Sequence, residues 1–470
     1  MASAIARAFC QPIKNQIGVA QPARCLGAVS HATANSKVAE TKEKNWKIIQ
    51  NVDNSPLSRV IIAVKAGSRY ETSSNLGITH LIRHAIQAGS EGGNDLGIYN
   101  SLEIVGSVLN VNTGRDLAFV SFNASNQYGL EIIEPLMRVV FRNGVSEIDW
   151  ERYGKFSSKV GYDLAVLNTQ PTVKLLENLH AVAYRDTLGN SVYCPAFFVG
   201  SHSRNQLSSF IESHYSNAHA AIITSGVNEE RYQQLVRALD GLPVYATSTT
   251  KQARKDTPAK YWGGERREHM PGLDATYVAV AVEGASLKSK DLLAVGVLQS
   301  VLGQGSRIKY SLNSTGPRLS SAVAKAVGDA AFSVSALNAN YSDSGLFGFV
   351  VAAPSNSIDA ALRAACKELS SVTKNGITDQ ELETGKKRLI TGLSMKFESK
   401  EALMISQAEQ TLAGLTVASP DQMIKQITSL TAAEVNAVAK KLGEKWYSMS
   451  SVGDLTQVPY LENIGELCTR

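Results

Sequence analysis

The sequence predicts an α+β protein with two similar domains, each an antiparallel-rich sheet packed with helices. Strand-like and helix-like segments come in separate blocks, and the same order of blocks occurs twice along the chain. A polar, basic, turn-rich stretch separates the two halves. The chain has 470 residues, 44% of them hydrophobic, which is enough to bury several cores and argues against a disordered protein.

The first half opens with a β-branched strand predicted over Arg59–Lys65, which precedes a helix that carries His80. The block Gly106–Thr113 follows, and then an alternating strand around Leu117–Phe122. A helix is predicted after this strand, over Ile132–Phe141. Within this half the spacing of apolar residues therefore changes from every second residue, as in strands, to about every 3.6 residues, as in helices. This change is expected for a sheet covered by helices.

The second half repeats that order. A strand is predicted over Thr276–Val282 and a helix over Lys290–Leu302. Two further strands follow, over Phe332–Asn340 and Leu346–Ala352, and then a helix over Ala360–Val372. Because few residues are identical between the halves, the duplication rests on the order of the elements.

The repeated order divides the chain into four parts. Residues 1–39 form an N-terminal segment outside the fold, residues 40–247 a first domain, residues 248–272 a linker and residues 273–470 a second domain. The linker contains a double glycine, two prolines and many charged residues, which is typical of a connection between domains.

The N-terminal segment has the composition of a mitochondrial transit peptide, because it is basic, lacks acidic residues before Glu40 and has an apolar helical stripe. Its basic residues are Arg7, Lys14, Arg24 and Lys37. Its apolar residues at four-residue spacing are Ile5, Phe9, Ile13 and Ile17. Pro12 would interrupt such a helix, so a disordered tail is the alternative interpretation.

Charge and cysteine content exclude several classes of protein. The net charge is +5, and four of the positive charges lie in the N-terminal segment, so the remainder carries about +1 and gives no indication of nucleic-acid binding. Outside that segment Cys194, Cys366 and Cys468 are widely spaced, with no C-x-x-C pair and no disulfide framework. Apolar runs such as Leu346–Ala353 are far shorter than the ~18 residues of a membrane span. We therefore expect membrane association through partners only.

The segment Gly77–His84 contains two histidines four residues apart, His80 and His84. On a helix both imidazoles lie on one face and can bind one metal ion. The zinc-peptidase motif H-x-x-E-H adds a glutamate, directly before the second histidine, as general base. Arg83 stands at that position, and a guanidinium cannot accept a proton at physiological pH. The sequence therefore argues against ordinary metal-assisted hydrolysis. Two unrelated packing histidines are the other interpretation.

Five segments of the chain form a more specific pattern than this motif alone. They are Ala66–Glu71, Gly77–His84, Gly106–Asp116, Glu177–Tyr184 and Asn338–Gly348. Together they resemble the pitrilysin-type metallopeptidase family, in its mitochondrial branch of processing-peptidase subunits and cytochrome bc1 core proteins. The resemblance covers nearly the whole chain beyond the N-terminal segment, and it implies a processing-peptidase-like duplicated α+β fold.

The resemblance also implies a metal site. In the family two histidines and a downstream glutamate bind the metal; the histidines match His80 and His84. The third ligand falls on Asp163 when residues are counted back without gaps from the match at Glu177–Tyr184, and an aspartate is one methylene shorter. We interpret Asp163 as a solvated helix acid rather than a ligand. With Arg83 at the base position, we predict a degenerate motif with no catalytic residue and no bound metal.

Active members of the family need two further features. They hold extended substrate on an edge strand that matches Asn110–Val111, by backbone hydrogen bonds. An arginine and a tyrosine of the second half steady the oxyanion that develops on the substrate. We find no match for that pair around Arg318–Lys325. We therefore expect this chain to lack both the general base and the groups that stabilise the oxyanion.

Within the branch, the alpha subunit of the processing peptidase binds presequences through a long glycine-rich loop, where this chain has only Gly303–Ser306. The segments Ala259–Glu265, Glu177–Tyr184 and Asn190–Pro195 are instead similar to core proteins of the cytochrome bc1 complex. That resemblance implies a structural subunit on the matrix side of the inner membrane, without a cofactor. The implied partners are core protein 1, cytochrome b, cytochrome c1 and the Rieske subunit of a dimeric complex.

Two other functions stay open at this point. A zinc metallopeptidase could use His80, His84 and Asp163 with a different base. A non-catalytic, presequence-binding subunit of the mitochondrial processing peptidase would share the fold and the lost base.

Overall fold

The computed structural model of this protein contains two β-sheets with helices packed on them. It describes residues 37–43, 46–53, 55–88, 104, 106–125, 140, 153–216, 219–240, 257–305 and 316–464. Within these residues the first sheet has six strands and the second has five. The predicted α+β class with a duplicated unit of sheet and helices is confirmed.

The first sheet is built from the N-terminal half. Its strands are β1 (Lys37–Glu43), β2 (Trp46–Val52), β3 (Leu57–Val64), β4 (Val108–Thr113), β5 (Ala118–Ser125) and β6 (Ala220–Ser225). They lie in the order β1-β2-β6-β3-β5-β4, and all neighbours are antiparallel except β2 and β6. Strand β3 confirms the predicted strand, and its C-terminal half is buried on both faces, which explains the continuous β-branched run.

The second sheet repeats the first. Its strands are β7 (Gly264–His269), β8 (Thr276–Glu283), β9 (Ser333–Asn340), β10 (Gly345–Ala353) and β11 (Tyr447–Gly453). They lie in the order β7-β11-β8-β10-β9, and only β7 and β11 are parallel. The strands β7-β11-β8-β10-β9 correspond in order to β2-β6-β3-β5-β4 of the first sheet. Each pair of neighbours is parallel or antiparallel as in its counterpart, so the second sheet has the topology of the first sheet without β1.

Helices lie between and after the strands. Those of the first half are α1 (Ile78–Ala88), α2 (Tyr153–Asn168), α3 (Pro171–Tyr184), α4 (Arg204–His214) and α5 (Glu229–Asp240). Those of the second half are α6 (Leu292–Leu302), α7 (Arg318–Val327), α8 (Ile358–Asn375), α9 (Asp379–Phe397), α10 (Lys400–Ala413), α11 (Pro420–Ser429) and α12 (Ala432–Gly443). Helices α6 and α8 confirm the two predicted in this half. The helix predicted over residues 132–141 lies outside the described residues except for Val140.

The predicted linker, residues 248–272, is wrong over its second part. Gly264–His269 forms β7 and pairs with β11 at the edge of the second sheet. Its sequence, GERREH, looks like a linker because an edge strand exposes charged side chains that discourage pairing with other chains. Residues 248–256, like the segment 1–36, lie outside the described residues.

Each sheet is covered on one face by a helix from the other half. Helix α3 packs on the second sheet, where Leu175 and Leu179 are fully buried among residues of β8, β10 and β11. Helix α10 packs on the first sheet, where Ala408 and Leu412 lie against Ile61 and its neighbours. The two halves of the sequence therefore share their cores, although the limits 40–247 and 273–470 stay a prediction.

Polar contacts between the two halves fix the position of each helix on the sheet of the other half. Asn51 of β2 and Gln407 of α10, both buried, exchange two amide hydrogen bonds of 2.8 and 2.9 Å. The guanidinium of Arg69 bridges the halves, with Nη1 2.5 Å from Asp116 Oδ1 and Nη2 2.7 Å from Asp343 Oδ2. Directional bonds between buried groups allow one relative placement of the halves.

Candidate functional site

The N-terminal end of α1 is held by a buried carboxylate. Glu71 accepts hydrogen bonds from Gly77 N–H at 2.7 Å, Thr79 N–H at 3.0 Å and Thr79 Oγ1 at 2.6 Å. Gly77 has φ +81°, and a Cβ there would lie 2.4 Å from the Cα of Cys194, so only glycine is accommodated. The carboxylate satisfies N–H groups that the first turn of a helix leaves without partners. It thereby fixes the helix that carries His80.

The buried position of Glu71 makes stability depend on pH. Burial raises the pKa of its carboxyl to about 7, against the hydrogen bonds from Thr79 and Gly77, which favour the charged form. A carboxyl with a raised pKa in the folded state contributes stability below its unfolded value of 4.5, and this is lost as pH rises through about 7.

We therefore expect the free energy of unfolding to fall by roughly 3 kcal/mol between acidic and mildly alkaline pH because of this group. Urea unfolding of the wild type and of Glu71→Gln over that range measures it. The difference in free energy of unfolding between the two proteins should change with pH and become constant above the pKa of Glu71. A constant difference would contradict the expectation.

The structure brings together all four residues singled out from the sequence. His80 Nε2 and His84 Nε2 each lie 3.0 Å from Asp163 Oδ2, and Arg83 Nη2 contacts the same oxygen. Helix α1 supplies the two histidines and the arginine, and α2 supplies the aspartate. The interpretation of Asp163 as a solvated helix acid is wrong, because its side chain is 28% exposed and contacts both imidazoles. Packing of α2 on α1, which no local pattern reports, causes the difference.

The backbone sets the tautomer of His80. The N–H of Cys194 donates to His80 Nδ1 at 3.1 Å, so Nδ1 is an acceptor and carries no proton in this arrangement. Burial, together with the charge of Arg83, lowers the pKa of His80, so the ring is neutral near pH 7. The single ring proton therefore lies on Nε2, which donates to Asp163.

The other charges of the site follow from the same contacts. Burial and the charge of Arg83 lower the pKa of His84 to about 4. The hydrogen bond from His80 and the charge of Arg83 lower the pKa of Asp163 to about 2. At neutral pH the site thus contains two neutral imidazoles, one guanidinium cation and one carboxylate anion.

A zinc ion does not fit these residues as they stand. The ligand atoms of His80, His84 and Asp163 lie within 4.8 Å of one another, which is the donor set of a zinc site. However, the Arg83 guanidinium is in contact with Asp163 and 3.0 Å from His80 Nε2, so a positive charge already occupies the point of convergence. His80 also presents an N–H, rather than a lone pair, to that point.

The remaining predicted features lie on other elements. Asn110–Val111 belong to β4, at one edge of the described first sheet, and Val111 is buried in the same core as Leu81 and Ile82 of α1. In the second half Arg318 pairs with Glu368 and, at 3.3 Å, with Glu381. Gly303, with φ +108°, ends helix α6. Ser306 is outside the described residues.

Sequence reasoning missed three contributors to the site. Cys194 acts through its backbone, Tyr193 packs edge-on against His80 with ring centroids 5.6 Å apart, and Glu71 caps the helix. All three lie in segments that the resemblance had marked, Ala66–Glu71 and Asn190–Pro195. The resemblance of these two segments to the family was the indication that the sequence offered. The roles of the three residues depend on tertiary contacts, which the sequence does not show.

Comparisons with known proteins identify the family of this chain. Residues 47–196 match the family model for insulinase, peptidase family M16, and residues 201–389 match the model for the peptidase M16 inactive domain. Within the described residues no helix combines the length and apolar character of a membrane span.

Among curated relatives, the mouse protein named cytochrome b-c1 complex subunit 2, mitochondrial, is 31% identical over 428 residues, 90% of this chain and 91% of the relative. The human protein of that name is also 31% identical, over 429 residues. The mitochondrial-processing peptidase subunit beta of Saccharomyces cerevisiae is 24% identical over 458 residues, 94% of this chain and 96% of the relative.

Among solved structures, a chain of complex III2 from Candida albicans, with Inz-5 bound, has a TM-score of 0.78 and 18% identity. The match covers 92% of this chain and 99% of the other. The fold is therefore shared over almost the whole length. With both halves matched by models of the family, and relatives 31% identical over nine-tenths of its length, this chain belongs to peptidase family M16, the insulinase family.

Proposed function

We propose that this chain is a non-catalytic structural core subunit of the mitochondrial ubiquinol–cytochrome c reductase, complex III, needed for assembly and stability of the complex. The observation that carries the proposal is Arg83 at the position of the general base, with its guanidinium on Asp163. A guanidinium at the general-base position cannot take a proton from a metal-bound water. The relatives that are 31% identical are named as subunit 2 of the cytochrome b-c1 complex, which supports this choice within the family.

The function of such a subunit lies in its surfaces. Each half supplies a helix to the sheet of the other, so the described parts of the two halves share their cores instead of packing independently. The exposed faces of such a unit can offer interfaces of the ~800 Å² per partner that a stable contact needs. The proposed partners are core protein 1, cytochrome b, cytochrome c1 and the Rieske subunit, within a dimeric complex.

The relatives are named as mitochondrial, and the proposed location is the inner membrane, peripheral on the matrix side. The predicted N-terminal segment, residues 1–39, overlaps β1 at residues 37–39, so the part before Lys37, with its basic and apolar pattern, would serve as the transit peptide. Contact with the membrane would come through the partner subunits.

Migration on a native gel tests the proposal. We expect the tagged full-length chain to co-migrate with the haem-containing subunits of complex III, and depletion of the chain to lower the amount of assembled complex. His84→Gln should assemble in wild-type amounts, because glutamine still donates to Asp163 and no metal is required. Migration apart from the complex, or loss of the complex with His84→Gln, would contradict the proposal.

A subunit of the mitochondrial processing peptidase is the second candidate, supported by 24% identity to the yeast beta subunit over 458 residues. The sequence argues against a glycine-rich presequence-binding loop, because Gly303–Ser306 contains only two glycines. Co-purification with a catalytic processing-peptidase subunit, away from complex III, would favour this candidate. Chelator-sensitive peptide cleavage by the purified chain would instead show a metallopeptidase.

A further inference from the structure

The cluster on α1 has the donors of an anion site. Arg83 Nη2 and His80 Nε2 each carry hydrogen directed at Asp163 Oδ2. His84 Nε2 lies 3.0 Å from the same oxygen, and an ionised carboxylate only accepts, so this nitrogen also carries its proton there. Three N–H groups from one helix therefore converge on one oxygen atom.

We propose that the positions matching the family's metal ligands form a carboxylate-binding site of inverted polarity in this chain, in which His80, Arg83 and His84 hold Asp163 as a resident anion. The residues that would hold a cation elsewhere here present hydrogens instead of lone pairs.

Two contacts cause the inversion. The Cys194 N–H keeps the proton of His80 on Nε2, and this bond would be lost if Nε2 gave up its proton to bind a metal. Arg83 adds a permanent cation on the same face of the helix, one turn from His80. An arginine flanked by N–H donors is a combination that recognises carboxylates by charge-assisted hydrogen bonds.

The cluster is accessible enough to exchange its anion when the side chain of Asp163 is shortened. The side chains of Arg83 and Asp163 are 24% and 28% exposed, whereas that of His80 is fully buried. Removal of the carboxylate in Asp163→Ala leaves three donors around a space the size of a formate ion. Formate supplies the missing oxygen without the rest of the side chain.

Chemical rescue tests the proposal. Thermal unfolding of the full-length wild type, Asp163→Ala and the control Asp163→Ala/Arg83→Gln would be followed against sodium formate, with sodium chloride at equal ionic strength. We expect Asp163→Ala to lose several degrees of Tm and to regain at least half of the loss saturably with formate. The wild type and the control should not respond beyond the effect of chloride.

Nitrogen-15 NMR of the imidazoles in the wild type gives a second readout that does not depend on the stability of a variant. We expect His80 to show a protonated Nε2 and an unprotonated Nδ1. Equal responses of Asp163→Ala to formate and chloride, rescue of the control, a protonated Nδ1, or stoichiometric zinc uptake by the wild type would each overturn the proposal.

Discussion

Replacement of Arg69 by methionine should lower the free energy of unfolding by about 3–5 kcal/mol, because it leaves two carboxylates without their cation. Arg69 is 5% exposed, and it donates to Asp116 of the first half and to both carboxylate oxygens of Asp343 in the second, at 2.9 and 2.7 Å. Ser342 Oγ accepts a further bond at 2.9 Å. Methionine keeps much of the apolar contact, so the loss reports the charge and its hydrogen bonds.

Urea unfolding measures this effect, and Arg363→Met is the matched control. Arg363 pairs with Asp359 on the exposed side of α8, where the two side chains are 40% and 43% exposed, so its loss should cost no more than about 0.5 kcal/mol. Addition of Asp343→Asn to Arg69→Met should recover part of the stability, because one of the unpaired charges is removed. Equal effects of the two methionine variants would show that the bridge between the halves is not a major stabilising contact.

Truncation of Leu179 to alanine should cost about 2–5 kcal/mol, the range for a buried leucine whose removal leaves a cavity. Leu179 lies on α3 and is fully buried against the second sheet. The expected consequence is unusual for a residue of the first half, since the strands that lose support belong to the second. Cores shared in this way should make the two halves unfold together.

Hydrogen exchange followed by mass spectrometry can locate the effect of Leu179→Ala. We expect peptides from β8 and β11 to lose protection together with those from α3. Val166→Ala on α2, 40% exposed, is the control and should change stability by less than about 0.5 kcal/mol. Loss of protection confined to the first half would show that α3 is not essential to the second sheet.

Elements with a strong apolar pattern were predictable from the sequence. The strand predicted over Thr276–Val282 is observed over Thr276–Glu283, and the helix predicted over Lys290–Leu302 over Leu292–Leu302. The buried face of such an element requires apolar side chains, so their regular spacing is visible in the sequence. The edge strand β7 was missed because solvent, rather than a core, selects its side chains.

The candidate site divides in the same way. The spacing of His80, Arg83 and His84 follows from the helical period, and the inability of arginine to act as a base is a property of the side chain alone. The contact of Asp163 with both imidazoles, and the proton on His80 Nε2, depend on how α2 and the segment around Cys194 pack on α1.

The sequence by itself therefore determined the α+β class, the repeated order of elements and the absence of a base at position 83, since these depend on local period and residue chemistry. Only the tertiary structure decided that each half covers the sheet of the other and that donors, instead of metal ligands, converge at the end of Asp163. The contacts of His84 with Asp163 and of His80 with Cys194 join residues 79 and 114 positions apart, and Asn51 and Gln407, which join the halves, are 356 positions apart. No local pattern reports hydrogen-bond geometry over such separations.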